Sequence, residues 1–462
     1  MHFEAYEIKQ DIYIDEIRSR ALLLRHKRSG ARVSALINDD ENKVFVIGFR
    51  TPPSDDTGAA HMVEHTVLCG SGKYPIKDPF IELEKGTLHT YLNAITYGDK
   101  TIYPVASYND KDFADLCDVY LDAVFDPLIH KSKMSFLQEG WRYEPDGEGG
   151  LRIGGVVYNE MKGAYSQSET VLGRESFRAL FPDTAYRFDS GGFSPCMDAL
   201  SYEDFKAFHR AYYHPSNSYI CFYGNMDIEE RLESLDRDYL SKYEKAEIDT
   251  EIRLQEHFDK MKCVRGSYPA AESDDDGTYL SVSFVTSDRE TAAENIAWGI
   301  LGYVLTDPRS GILRKELLDR GIGSDVYTVY EDDMRQPVFS VTVQDAEAEQ
   351  AEEFLKVTRE TLEKLVKDGI PKRSLQAAIK STEFSVRESD FGTRPKGLVY
   401  ITAMFKSWLY DDEAAFDRLK FTDTFAELYR WADCGGFEKL IKEKLLDNSH
   451  SALVTLTPDP EL

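Results

Sequence analysis

His61, Glu64 and His65 are the residues of this chain whose types and spacing most directly suggest chemistry. They lie in Thr57-Gly58-Ala59-Ala60-His61-Met62-Val63-Glu64-His65-Thr66-Val67-Leu68-Cys69-Gly70. Thr57 is a suitable helix cap and Gly70 a suitable helix end. On that helix the two histidines fall four residues apart, project from one face and can share a metal ion. Glu64, one position before His65, can hold a water beside such a metal and act as a general base without being a ligand. The bland alternative, two helical histidines flanking a solvated glutamate, stays open on these five residues alone. Cys69, four residues past His65, could reach toward the metal, but near a helix end it reads as a packed thiol.

A catalytic zinc site needs a third protein ligand, usually His or a carboxylate, and leaves the fourth position to water. The best candidate is Glu160, in Gly154-Gly155-Val156-Val157-Tyr158-Asn159-Glu160-Met161-Lys162-Gly163-Ala164-Tyr165-Ser166. H-x-x-E-H is also the inverted order of a known zinc-peptidase motif. His61–His65 running into Leu68-Cys69-Gly70-Ser71, followed by Val156–Gly163, resembles the pitrilysin/insulinase metallopeptidases, specifically the N-terminal half of their presequence-protease-like branch.

The resemblance implies a zinc-dependent endopeptidase with one zinc ion per chain, held by His61, His65 and Glu160. Glu64 would assist the attack of water on the peptide bond and later pass the proton to the leaving amine. The implied substrates are unfolded peptides, bound by edge pairing to the strand that carries Leu92, Asn93 and Ala94. From the residues alone, Asn93 reads equally well as a polar residue beside a turn. Members of this family carry two α/β units per half, and two halves enclose a peptide-sized chamber. A C-terminal half of the same kind, or a second copy, is therefore the expected partner. That far half supplies an arginine and a tyrosine that hold substrate, and neither can be assigned in this chain. Two other readings are a zinc-binding half-enzyme inactive until paired and a non-catalytic peptide-binding scaffold. The intact His61, Glu64, His65 and Glu160 set argues against the second.

Composition bounds the remaining possibilities. The 462 residues, 42% hydrophobic, suffice for more than one core. The formal charge of −27, from 55 basic and 82 acidic residues, argues against nucleic-acid binding. No apolar run approaches the ~18 residues of a membrane span, and Met1–Ile8 has neither signal-peptide nor transit-peptide character. Cys69, Cys117, Cys196, Cys221, Cys263 and Cys434 follow no disulfide framework. Reduced thiols and a cytoplasmic location are the expectation.

The elements that must position the motif can be read from periodicity. Leu22–Leu24, Val33–Ile37 and Lys43–Phe49 read as strands, the third leading through Thr51–Asp56 into the motif helix. Two β-prone runs follow, Thr87–Thr96 and Lys100–Ser107, with Pro104 marking an edge strand or a strand end. Phe113, Leu116, Cys117, Tyr120, Leu121 and Val124 recur at helical spacing, with Asn109 or Asp112 as the cap. Gly154–Leu180 carries the Glu160 helix, Ser201–Tyr213 is helical and Ser218–Tyr223 is a strand. The order then repeats: strand Tyr279–Val285, helices 292–305 and 311–319, strand Val338–Val343, helix 347–367 and strand Ala452–Leu456. The acidic stretch 272–277 reads as a turn. The expected architecture is α+β, two tandem copies of one α/β-sandwich unit. Residues 1–245 would form the catalytic domain and 246–462 a homologous domain without the motif.

Overall fold

The computed structural model describes residues 4–77, 79–270 and 277–462; the acidic 272–276 stretch lies outside the described residues. Fifteen strands are assigned within them: β1 (Tyr6–Ile14), β2 (Ser19–His26), β3 (Arg32–Ile37), β4 (Lys43–Arg50), β5 (His89–Leu92), β6 (Ile95–Thr96), β7 (Lys100–Ser107), β8 (Arg142–Pro145), β9 (Leu151–Gly154), β10 (Ser218–Gly224), β11 (Lys262–Pro269), β12 (Thr278–Val285), β13 (Asp325–Glu331), β14 (Val338–Ala346) and β15 (Ser451–Asp459). The helices used below are α1 (Ala59–Val67), α2 (Asp110–Phe125), α3 (Val156–Ala164), α4 (Ser168–Leu180), α5 (Tyr202–Tyr212), α6 (Ala292–Thr306), α7 (Ala351–Asp368) and α8 (Lys396–Trp408).

Two compact units interleave along the chain. The first comprises Met1–Lys162, Phe188–Ile252 and Phe391–Leu419; the second comprises Gly163–Arg187, Arg253–Asp390 and Lys420–Leu462. A division at 245/246 assigns neither the 163–187 nor the 391–419 segment to the unit with which it packs.

The first unit holds an eight-stranded sheet in the order β1-β2-β3-β10-β4-β7-β5, with β6 also on β7. The second holds a five-stranded sheet in the order β11-β15-β12-β14-β13. Both follow one scheme. The first strand of the shared set (β3 or β11) pairs parallel with the last (β10 or β15), and the other pairings are antiparallel. The two copies expected from element order are thus visible as one topology used twice, with the β1–β2 hairpin added to the first.

Central strands buried on both faces need a cover on each. β4 reads Val-Phe-Val-Ile-Gly-Phe through its centre and is buried from Lys43 to Phe49. Phe49 meets Phe125 of α2 edge-on at 6.1 Å. Gly48, on the opposite face, is where a side chain would press on Phe405 of α8. A helix from late in the chain therefore closes the far face of this sheet, burying Leu398, Ile401, Met404, Phe405 and Trp408. At about 1.5–3 kcal/mol per large apolar side chain, that cover is integral to the unit. In the second unit α4 has the matching role, with Leu172 in a cluster with Tyr268, Tyr279, Val454 and Leu456.

One local expectation is corrected. Pro104 lies inside β7, a strand paired on both sides, and is not at an edge or an end. Its carbonyl accepts from the Asn93 amide. A residue's N–H and C=O point to the same side of a strand, so the missing donor faces the break between β5 and β6, where no ladder bond is lost. The Gly154–Leu180 segment carries the Glu160 helix as expected, in α3, and adds a second helix, α4, which packs with the second unit.

Candidate metal centre

α1 starts from Gly58, not from a Thr57 cap. Gly58 has φ 72° and supplies no side-chain cap, and the Thr57 hydroxyl is bonded to Asp55 instead. A Cβ on Gly58 would sit 2.7 Å from the Gly191 carbonyl oxygen and 2.8 Å from Gly192 Cα, so only glycine permits this approach. The approach has a purpose at the site: the Gly191 carbonyl lies 3.1 Å from His61 Nδ1. A carbonyl can only accept, so Nδ1 carries the proton and Nε2 presents its lone pair. At the other end, α1 stops at Val67 and Gly70, with φ 112°, turns the chain just beyond it.

His65 is oriented in the same way. Its Nδ1 lies 3.4 Å from Glu139 Oε2, leaving Nε2 directed elsewhere. Glu139 sits in a π-helical turn, Phe136–Gly140, a local widening common at functional sites. That turn is docked to the helix carrying Glu160. A Cβ on Gly155, just before α3, would lie 2.0 Å from the Gly140 carbonyl oxygen, so the two backbones meet without an intervening side chain. Glu139 and Glu160 are thereby set against the same histidine.

The Glu160 carboxylate is 3.9 Å from His61 Nε2 and 3.7 Å from His65 Nε2. These separations are too long for hydrogen bonds. They are near the ~3.4 Å that two ligands about 2.0–2.1 Å from one tetrahedral ion would show. His61, Glu64 and His65 also offer donor atoms all within 4.8 Å of one another. Two oriented imidazoles and a carboxylate suit zinc, so the donor set fits the metal that the motif implies. Cys69 Sγ points back to the His65 carbonyl at 3.5 Å, as a helix-end thiol does.

Glu64 is buried, with its Oε2 accepting from the Thr96 hydroxyl at 3.0 Å. Burial raises its carboxyl pKa, and the neighbouring His65 and His61 only partly oppose that. For His65, burial pushes the imidazole down, but the Glu139 bond and the charges of Glu64 and Glu160 outweigh it and the net shift is upward. The site is a compact charged cluster that a divalent cation would neutralise.

Leu92, Asn93 and Ala94 lie at the β5–β6 break, on the outermost strand of the eight-stranded sheet. The Asn93 amide and carbonyl bond Pro104 and Tyr120, and its side chain lies 3.4 Å from the Tyr91 hydroxyl. Thr96, two residues past Ala94, is the Glu64 partner, which sets this edge beside the general-base candidate. Sequence reading missed Glu139 and Gly191. No fixed spacing relates either to the motif.

Residues 44–144 match the model described as insulinase (peptidase family M16), and residues 199–382 match the peptidase M16 inactive domain. The chain belongs to the insulinase/pitrilysin family of peptidases. Among curated relatives, Protein HypA of Clostridium perfringens is 44% identical over 96% of this chain and 46% of its own length. Presequence protease 1, chloroplastic/mitochondrial, of Arabidopsis thaliana is 40% identical over 99% of this chain and 43% of its own. The chain spans about half the length of these relatives. Among solved structures, a protease from Helicobacter pylori shares the fold at TM-score 0.71 and 16% identity, covering 95% of this chain and 100% of that one. Pitrilysin does so at TM-score 0.68 and 15% identity, covering 99% of this chain and 47% of that one. Among the described residues, no helix is long and apolar enough to cross a membrane.

Proposed function

We propose that this chain is the zinc-binding half of a metalloendopeptidase that hydrolyses unfolded peptides. The observation that carries the reading is the convergence of His61 Nε2, His65 Nε2 and the Glu160 carboxylate beside the buried Glu64. His61, His65 and Glu160 would hold one zinc ion. Such an ion would supply Lewis-acid polarisation of the scissile carbonyl and of the attacking water.

Glu64 takes the proton from the attacking water and returns it to the leaving amine. Its burial suits this task, because a carboxylate short of solvent is a stronger base than one in water. The Thr96 hydroxyl holds one carboxylate oxygen and leaves the other for the water. The free edge at Leu92, Asn93 and Ala94 aligns the peptide backbone by strand addition, which tolerates many sequences. Names of relatives such as presequence protease support peptides as the substrate class. The family model for an inactive domain falls mostly on the second unit, which lacks the motif and fits a supporting role.

The test separates metal from chemistry. Glu64→Gln should keep zinc while turnover of any peptide the wild type cleaves falls by ~10²–10⁴. His65→Ala should lose zinc by metal analysis, and Cys69→Ser should retain it. Full zinc in His65→Ala, or unchanged turnover in Glu64→Gln, overturns the assignment.

A further inference from the structure

Three guanidiniums gather at one end of the eight-stranded sheet, in a chain of formal charge −27. Arg25 and Arg32 are direct cross-strand partners on β2 and β3, and Tyr219 of β10 faces Arg32 from the other side. Arg32 lies over the Tyr219 ring at 4.7 Å, and Arg50, the last residue of β4, at 5.4 Å. Like charges directly opposite one another across a sheet repel. Glu7, directly opposite Arg25 on β1, and the Ser216 carbonyl, which accepts from Arg32 at 3.1 Å, relieve part of this. Asp412 accepts from Arg32 at 2.7 Å and lies 3.8 Å from Arg25, with half its own side chain exposed. Arg50 donates one Nη to the Leu409 carbonyl, while its buried Nε has no hydrogen-bond partner. Burial and the neighbouring Arg32 hold the Arg25 guanidinium below its ordinary range.

These side chains line a cavity of about 250 Å³, together with Lys245, Asn217 and Thr250. Lys245 makes no ion pair among the described residues. Glu247 is the one carboxylate on the cavity wall, and an adjoining basin of about 680 Å³ shares Arg25, Arg32 and Lys245. Across the two basins Lys9, Arg25, Arg32, Arg50 and Lys245 stand against Glu7, Glu247, Asp412 and Glu413, an excess of one positive charge.

We propose that this cavity binds a phosphate-class oxyanion, either free or as the phosphoryl group of a nucleotide. Guanidinium forks match the oxygen spacing of phosphate, and an oxyanion offsets the excess positive charge. Arg50 Nε gains the acceptor it lacks, and Lys245 gains a counter-ion. Asp412 alone is the competing account, in which the arginines only tie the 391–419 segment to the sheet.

The experiment is titration calorimetry on the zinc-loaded chain with inorganic phosphate, pyrophosphate, ATP and adenosine. Phosphate and pyrophosphate should bind saturably and adenosine should not. ATP binding as tightly as pyrophosphate assigns a nucleotide carrier, and weaker ATP binding assigns the free anion. Arg25→Gln and Lys245→Ala should each weaken binding about tenfold. Arg20→Gln, which removes an exposed β2 cation paired with Asp11, should leave it unchanged. His65→Ala should also bind normally, since the anion is not held by the metal. Absence of saturable binding, survival of full affinity in both cavity variants, equal weakening by Arg20→Gln, or loss of binding in His65→Ala each overturns the proposal.

Discussion

Glu139 is the residue whose substitution best tests how the metal ligands are held. A carboxylate on the far nitrogen of a ligating histidine fixes the ring and strengthens it as a donor, and losing such a partner commonly costs about 10–100-fold in metal affinity. Glu139→Ala should weaken zinc binding by that order in a chelator competition, with Glu139→Gln intermediate because an amide oxygen can still accept. The melting temperature of the zinc-free protein should change little, since the side chain contributes its hydrogen bonds to His65 and Gln138 rather than to a core. Equal zinc affinity in wild type and Glu139→Ala would show that the 3.4 Å contact does not orient His65. Such a residue is invisible to motif reading, because its link to His65 is made by a turn that widens at Phe136–Gly140.

At the scale of elements, α2 and α5 are joined through the buried His209, which also meets the half-buried His130 just past α2. His209 of α5 donates through Nε2 to the Val124 carbonyl of α2 at 3.0 Å. Its Nδ1 lies 2.9 Å from His130 Nε2. With Nε2 committed as a donor, Nδ1 accepts from His130, so a second proton on His209 would set two N–H groups against each other. Burial, then the charge of His130, lowers the His209 pKa to about 3. The unfolded chain binds a proton at this position below ~6.5 that the folded chain refuses until about pH 3. Stability from this group is therefore complete above pH ~6.5 and falls as the pH drops through that window, by up to ~1.4 kcal/mol per unit. Urea unfolding of His209→Gln between pH 7 and pH 4 should show a shallower acid-side loss than wild type; parallel curves would contradict the sign and the site. Only the helix at Ser201–Tyr213 was legible here; the burial of His209 and its partner on another element were not.

For the whole molecule, every proposed zinc ligand and the general base lie in one unit, so the metal site should form in this chain by itself. Turnover is a different matter, because one missing oxyanion donor can cost ~10²–10³ in rate and a poorly held peptide loses orientation as well. The chain covers 46% of HypA. With full zinc, it should cleave an unstructured peptide weakly alone and faster when a polypeptide matching the remainder of HypA is added. Strong, chelator-sensitive cleavage unaffected by that addition would contradict this. The sequence by itself determined the motif helix, the strand–helix order and its repetition, because hydrophobic period and residue spacing are local properties. It also pointed to the His61, Glu64, His65 and Glu160 set before any distance was known. Thr57 was misread as a cap because it is a suitable capping residue, whereas the real constraint is the close approach of Gly58 to Gly191–Gly192. Pro104 was misread as an edge because the break in its neighbouring strand is not written beside it. Only the tertiary structure decided that the 163–187 and 391–419 segments each cover a sheet in the other half of the chain's sequence order. Both faces of a buried sheet must be covered, and the covering helix need only be apolar on one side, so nothing in its own residues names the sheet it will meet.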